Sequence, residues 1–327
     1  MNNKAKQLNA CRICGNKRHN KYFTVKEMMY GYRDEFSYFQ CNNCECLQIE
    51  DIPEDMSKYY PANYYSFTEY DGKKFKGLSG YLNRMRYTSL LLGHRLKSSI
   101  MSFFSSKHHD ILSGIDLCKD TKILDVGCGS GKKFLYPLAE IGFKNVKGCD
   151  PYLKETLFYK NSLKIENSSI YDMKGSWDII TYHHAFEHIP DPIDNLKKVY
   201  ELLNPGGVCI IRIPVVSSFA WLHYGVDWVQ LDAPRHFFLH SEKSMHLLGQ
   251  KTNLKLYKIN HDSSHFQFTG SEKYLKDIPL RTPKSKGIFK LITGKVKQYK
   301  FQRKAKKLNK NSQGDQAAFF FKKEQVS

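Results

Sequence analysis

The chain has 327 residues and a formal charge of +19, with 41% hydrophobic and 14% aromatic residues. At roughly 100–200 residues per domain this length suggests two domains, and the composition excludes a disordered chain. No apolar run approaches the roughly 18 residues that span a bilayer, and the opening MNNKAKQLNACRIC has no apolar stretch of the kind that marks a secretory signal.

Residues 1–50 hold Cys11-x2-Cys14 and Cys41-x2-Cys44, separated by 26 residues. Each CxxC presents two thiolates from one tight turn, and two such turns complete a tetrahedral zinc site. Because cysteine fills all four positions, the zinc expected here is structural; the competing reading is four buried, unmetallated thiols. Nine cysteines, an odd number, favour a reducing and therefore cytoplasmic setting over a disulfide framework. Residues 51–110 read as a connector, Tyr-rich in YYPANYYSFTEY (59–70) and helical over Leu78–Phe104. Those tyrosines suit a packing seam, with stacking on a sugar or base as the alternative.

From residue 111 to 327 short β-rich runs alternate with helical stretches. The runs are Lys122–Val126, Asn145–Cys149, Trp177–Tyr182, Val208–Ile213, Leu254–Asn260 and Ala317–Phe321. Helices are expected at Phe134–Ile141, Asp194–Leu203 and Ser241–Gly249. The alternation predicts an α/β fold: a doubly wound, Rossmann-like, mostly parallel sheet with a small N-terminal zinc-ribbon-like subdomain. Inside this region, residues 281–310 carry twelve Lys/Arg and no Asp or Glu. Ile288, Ile292, Val296 and Tyr299 follow helical spacing among Lys290, Lys295, Lys297 and Lys300. Such a basic helix can be a solvated insertion between the last two strands or can lie on an anionic membrane surface. Nucleic-acid phosphate is a less favoured partner, since the rest of the chain is only mildly basic.

The most informative stretch is Ile123-Leu-Asp-Val-Gly-Cys-Gly-Ser-Gly131, an apolar strand running into three alternating glycines. Glycines there permit a sharp turn and a close ligand approach. The spacing fails both the GxGxxG dinucleotide pattern and the GxxxxGK[ST] phosphate loop. Asp125, two residues before the first glycine, would repel a pyrophosphate but suits a cationic amine such as that of S-adenosylmethionine (SAM). Asp150 ends the next strand, where a carboxylate can accept from both ribose hydroxyls.

Four ordered segments, ILDVGCGSG, GCDP (148–151), WDIITYHHAFEHIPDP (177–192) and LLNPGGV (202–208), resemble the successive motifs of class I SAM-dependent methyltransferases. The resemblance implies that Asp125, Gly127, Cys128 and Gly129 hold the methionine end of SAM and Asp150 the ribose. The family's acidic "GD" pair near adenine is replaced by Asn167-Ser168-Ser169-Ile170, which leaves backbone atoms near Ser169 and Ile170, with Asp172 a weaker candidate. CRICGN, CNNCECLQ and YYPANYYSF, with FQFTGSEKYLKDIPL (266–280) and GDQAAFFF (314–321), resemble the zinc-ribbon-headed subset met in deoxysugar methylation and surface-polysaccharide biosynthesis. This implies a small-molecule or glycolipid saccharide acceptor. An RNA methyltransferase and a SAM-binding scaffold without activity are the alternatives.

For the acceptor side, His183 and His184 end the fourth strand of the core, Glu187 and His188 follow within a turn, and His236 lies in DAPRHFFLH after the fifth. His183, His184 and His236 are the candidate bases; by resemblance His188 is structural. Nitrogen methylation is disfavoured, because Tyr182-His183-His184-Ala185 stands where amide-modifying relatives carry [DN]PP[YF].

Overall fold

The computed structural model describes residues 9–61, 70–93, 107–282 and 288–324. In chain order the main elements are β1 (Lys21–Lys26), β2 (Glu35–Gln40), β3 (Leu47–Ile49), α1 (Gly77–Leu92), β4 (Ile123–Val126) and α2 (Leu135–Glu140). Then come β5 (Val146–Cys149), β6 (Leu157–Phe158), β7 (Lys164–Glu166), β8 (Trp177–His183), α3 (Pro192–Leu202) and β9 (Leu203–Pro214). The chain closes with α4 (Phe219–Tyr224), β10 (Phe238–Leu239), α5 (Glu242–Lys251), β11 (Leu254–His261), α6 (Ile288–Lys310) and β12 (Gln316–Lys323).

The larger sheet has the order β11-β12-β9-β8-β4-β5-β7-β6. Its middle, β7-β5-β4-β8-β9, is parallel, while β12 runs antiparallel to both its neighbours. All four residues of β4 are buried, as expected of a central strand covered on both faces. α3 opens on Pro192 at its first turn, where a missing N–H costs nothing, and buries Leu196, Val199 and Leu202 along one face. This is the doubly wound, Rossmann-like, mostly parallel sheet that the alternation predicts.

Some boundaries differ from the sequence expectation. β9 begins at Leu203, so the helix before it stops at Leu202. β6 and β7 were not expected; in β7, Lys164-Ile165-Glu166, only the isoleucine is apolar. The expected helix over Leu78–Phe104 forms as α1, and its residues 94–104 lie outside the described residues, as do 62–69 of the tyrosine-rich stretch. No helix among the described residues is long and apolar enough to cross a membrane.

The smaller sheet is β1-β2-β3-β10. Its last strand comes from beyond β9: Phe238 pairs with Gln48 and Leu239 with Leu47. Val215, just after β9, bridges to His240 and ties the two sheets together. The cysteine-bearing sheet is thus joined to the core directly after His236.

Candidate active site

An open cleft of about 420 Å³ lies at the carboxyl ends of β4, β5 and β8, the edge at which ligands bind in such sheets. Asp125, Gly127, Cys128, Gly129, Asp150, Ser169, Ile170, His183, His184 and His236 all line it.

The loop after β4 explains its glycines. Gly127, Gly129 and Gly131 have φ of 66°, 54° and 66°, a region that side-chain-bearing residues rarely enter. A Cβ at Gly127 would stand 2.5 Å from the Cβ of Ala185. Gly148 on β5 leaves room for the Cys128 thiol, whose Sγ would lie 2.4 Å from a Cβ there. The Asp150 carboxylate accepts from Gly129 N (2.8 Å) and Tyr152 N (3.0 Å), so it shapes the loop from the end of β5.

Asp125 is buried and accepts from Thr181 Oγ1 at 2.8 Å. Burial raises its carboxyl to about 8, against the opposing pull of the Thr181 hydrogen bond. Burial also pushes the Asp150 carboxyl up. Two desolvated carboxylates beside a glycine loop fit a ligand with a cationic amine and a ribose, so the residues present suit SAM. Where the resemblance implies an adenine contact, the Asp172 carboxylate accepts from Ser169 N (3.0 Å) and Ser169 Oγ (2.7 Å). Ser169, Ile170 and Tyr171 line the cleft there, and Asp172 turns to the loop backbone instead.

The opposite end holds the histidines. His183 packs its ring on Phe134, with centroids 4.5 Å apart. His184 follows β8 in a left-handed conformation, φ 55°. Its Nε2 receives Arg212 Nη1 at 2.9 Å, and its Nδ1 lies 3.4 Å from Glu187 Oε1. A guanidinium only donates, so the Nε2 lone pair of His184 is already engaged. The other ring nitrogen faces Glu187, so the His184 ring links Arg212 to that carboxylate.

His236 behaves differently. Its Nδ1 lies 2.7 Å from the carbonyl oxygen of Gln230. A carbonyl only accepts, so Nδ1 carries the proton and Nε2 keeps its lone pair in the neutral ring. His188 repeats the arrangement, with Nδ1 2.6 Å from Arg235 O. Burial lowers the His188 pKa, against the pull of Glu187. His236 Nε2 faces Glu187 Oε1 at 3.9 Å and Asp232 Oδ2 at 3.8 Å. Glu187 is fully buried. Burial works to raise its carboxyl, but His184, His188 and His236 around it prevail and bring it down to about 2. His188 and Glu187 are the site residues that sequence reasoning underrated; the spacing His184–Glu187–His188 within one tight turn was the available signal.

The N-terminal region supports this end. Tyr38 on β2 donates from its hydroxyl to His236 O at 2.8 Å. Arg235 is wholly buried and reaches Glu27 Oε1 (2.9 Å) and Asp232 Oδ1 (2.6 Å). Glu27 is held in turn by the backbone N–H groups of Tyr30, Gly31 and Tyr32. The Tyr60 hydroxyl stands 3.2 Å from His188 Nδ1, and the Tyr60 ring stacks on Tyr152 at 5.9 Å.

Away from the cleft, Cys11, Cys14, Cys41 and Cys44 present sulfurs within 4.8 Å of one another. The two turns are alike: Gly15 N bonds Cys11 O at 2.8 Å and Glu45 N bonds Cys41 O at 2.9 Å, with φ of 79° and 63° at Gly15 and Glu45. Gln48 Nε2 donates to Cys11 Sγ at 3.1 Å, the outer-shell support expected around a thiolate ligand. The hydrogen bond from Cys44 pulls the Cys11 thiol down to about 5. The donor set suits a four-coordinate zinc. Cys46 lies outside this group, buried with Sγ 3.8 Å from His240 Nδ1.

Comparison with known proteins agrees with the cleft. Residues 92–259, just over half the chain, match the family described as "Methyltransferase domain". A ubiquinone biosynthesis O-methyltransferase of Psychrobacter cryohalolentis is 30% identical over 125 residues, covering 33% of this chain and 47% of that protein. A tRNA U34 carboxymethyltransferase of Nautilia profundicola is 33% identical over 109 residues, covering 29% of this chain and 35% of that protein. The chain therefore spans less than half the length of these curated relatives. Among solved structures, a SAM-dependent methyltransferase of Thermotoga maritima is 17% identical, with 75% of this chain and 92% of that chain covered and a TM-score of 0.41.

Proposed function

The chain belongs to the class I SAM-dependent methyltransferases, and on that premise we propose that it methylates an oxygen or carbon of a saccharide intermediate of surface-polysaccharide biosynthesis. The observation that carries this reading is the layout of the cleft: carboxylates and a glycine loop at one end, and two imidazoles with available Nε2 atoms at the other. When bound, SAM supplies a methyl group on a sulfonium, an electrophile that needs only a well-placed nucleophile. Asp125 and the 127–129 backbone hold the methionine end, Asp150 the ribose, and the backbone at Ser169 and Ile170 the adenine. Loss of the acceptor proton falls to the end where His236 and His188 are backed by Glu187. His183, packed on Phe134, lines the same end of the cleft. Oxygen is the favoured acceptor atom, since several curated relatives are named as O-methyltransferases. The saccharide rests on the resemblance of the ribbon and tyrosine-rich segments, with Tyr60 and Tyr152 offering ring faces in the cleft.

The four N-terminal cysteines hold structural zinc in this reading. Residues 1–50 act as a zinc-ribbon-like head, 51–110 as connector, and 111–327 as the methyltransferase domain with its basic insertion. α6 supports a peripheral contact with anionic membrane. Its second half packs on the core through Ala305 and Leu308, whereas Val296 and Tyr299 stay 52% and 66% exposed between lysines. Ile288 and Ile292 belong to residues whose side chains lie outside the description.

The test is methyl transfer from radiolabelled SAM into an extract of cells lacking the gene, separated into sugar-nucleotide, glycolipid, RNA and protein fractions. Label in a saccharide or glycolipid fraction is expected. Label in RNA alone would replace the saccharide reading with the nucleic-acid one. SAM binding with no label in any fraction would favour the scaffold.

A further inference from the structure

We propose that Glu187, His188 and His236 form a second metal centre, separate from the cysteine cluster, that takes a divalent transition-metal cation at the acceptor end of the cleft.

Three independent features point to it. One oxygen of Glu187 and one nitrogen from each histidine lie within 4.8 Å of one another, so a small contraction brings them onto one ion. The imidazoles are pre-set as ligands: each donates Nδ1–H to a main-chain carbonyl, Gln230 O for His236 and Arg235 O for His188. That is how metal-bound histidines are held, with the second nitrogen fixed by an outer partner. Glu187 is wholly buried; its Oε2 has no hydrogen-bond partner, and its Oε1 meets only ring nitrogens, His184 Nδ1 at 3.4 Å and His236 Nε2 at 3.9 Å. A buried carboxylate in that state is costly unless a cation compensates it. The fixed cation nearby, Arg235, is already shared by Glu27 and Asp232, so it does not serve Glu187.

Two imidazoles and one carboxylate, with no sulfur, suit Mn²⁺, Fe²⁺ or Zn²⁺. His188 and His236 line the cleft while Glu187 stands behind them, so the open coordination positions face the acceptor. An acceptor hydroxyl on such a cation would be oriented and made more acidic, its proton passing to water in the open cleft. That role, though not the binding, rests on the methyl-transfer reading above. The rival is a metal-free cluster in which His236 takes the proton directly.

Metal content decides between them. Native mass spectrometry of the full chain with added Zn²⁺ is expected to show one zinc fewer in His188→Gln and His236→Gln than in the unmodified protein. Mn²⁺ followed by paramagnetic resonance provides a second measurement, since thiolates are poor ligands for it. One Mn²⁺ per chain is expected, weakened at least tenfold in both variants, with circular dichroism and SAM binding unchanged. Asp232→Asn, which leaves the three donors in place, should retain the ion. Equal zinc counts in all three proteins, or no saturable Mn²⁺ binding, would overturn the proposal. Label transfer that persists after metal removal would overturn the role and leave the methyl-transfer reading standing. Bound metal with no saccharide label would leave the metal centre standing and overturn the saccharide reading, and with it the role.

Discussion

At one end of the cleft, Gly129 and Asp150 meet across 21 residues of chain. At the other, His236 is held by Tyr38 across 198 residues, and its neighbour Arg235 by Glu27 across 208. The first end is a local structure: a strand, a turn that only glycines tolerate, and a carboxylate on the adjacent strand. The second is assembled from the cysteine-bearing sheet and the core together. A shared donor needs the same local cradle in every relative, whereas the acceptor end is free to be rebuilt by whatever packs against it. The two ends should therefore fail separately.

The largest expected effect lies at the assembled end. His236→Ala should lower methyl transfer by about 10²–10⁴-fold, the usual worth of a group that handles the acceptor proton, and steady-state transfer rates check it. Next comes the joint between the regions. Arg235→Met would leave the buried Glu27 and Asp232 carboxylates without their cation. A stability loss of about 3–5 kcal/mol is expected in denaturant unfolding. A loss near zero would mean that the N-terminal region does not brace the histidines.

Effects at the local end are smaller and confined to SAM. Asp150→Asn removes a charged hydrogen-bond acceptor, and calorimetry should find SAM binding weaker by about 10–100-fold. The pH dependence follows from Asp125, whose carboxyl sits at about 8 in the free protein. Free protein holds a proton there that the complex with a cationic amine does not. Affinity should therefore rise with pH, by about tenfold per unit, and level off near 8; a Kd series from pH 6 to 8 checks this. The smallest effect concerns α6. Replacing Lys295, Lys297 or Lys300 singly by Ser should reduce sedimentation with anionic vesicles, by about 1 kcal/mol each, and leave SAM binding as it was.

The same division separates what was legible in the sequence from what was not. The strand into Gly127, the carboxylates Asp125 and Asp150, and the paired CxxC turns are statements about neighbours along the chain, and spacing carries them. β10 is two residues long and exists because Phe238 and Leu239 pair with β3, which no local pattern announces. His183 and His184 look equivalent in sequence. Only Arg212, arriving from β9, shows that one of them is engaged as an acceptor. Glu187 gains its place from the three rings around it, two of them within its own turn and one 49 positions on. For α6, helical spacing was readable, but the packed face is set by Phe219 and Phe268, under Lys304, and by Ala305 and Leu308. The stripe that looked apolar, at Val296 and Tyr299, is left in solvent.

The most direct measurement takes SAM affinity and methyl transfer together for His236→Ala and Asp150→Asn. Calorimetry gives the first, and label entering the saccharide fraction gives the second. The separable-ends account predicts SAM affinity within about twofold of the unmodified protein for His236→Ala, with transfer slower by at least about 10². It predicts binding weaker by about tenfold or more for Asp150→Asn. A His236→Ala variant that loses SAM as fully as Asp150→Asn, or that transfers methyl at the unmodified rate, would contradict it.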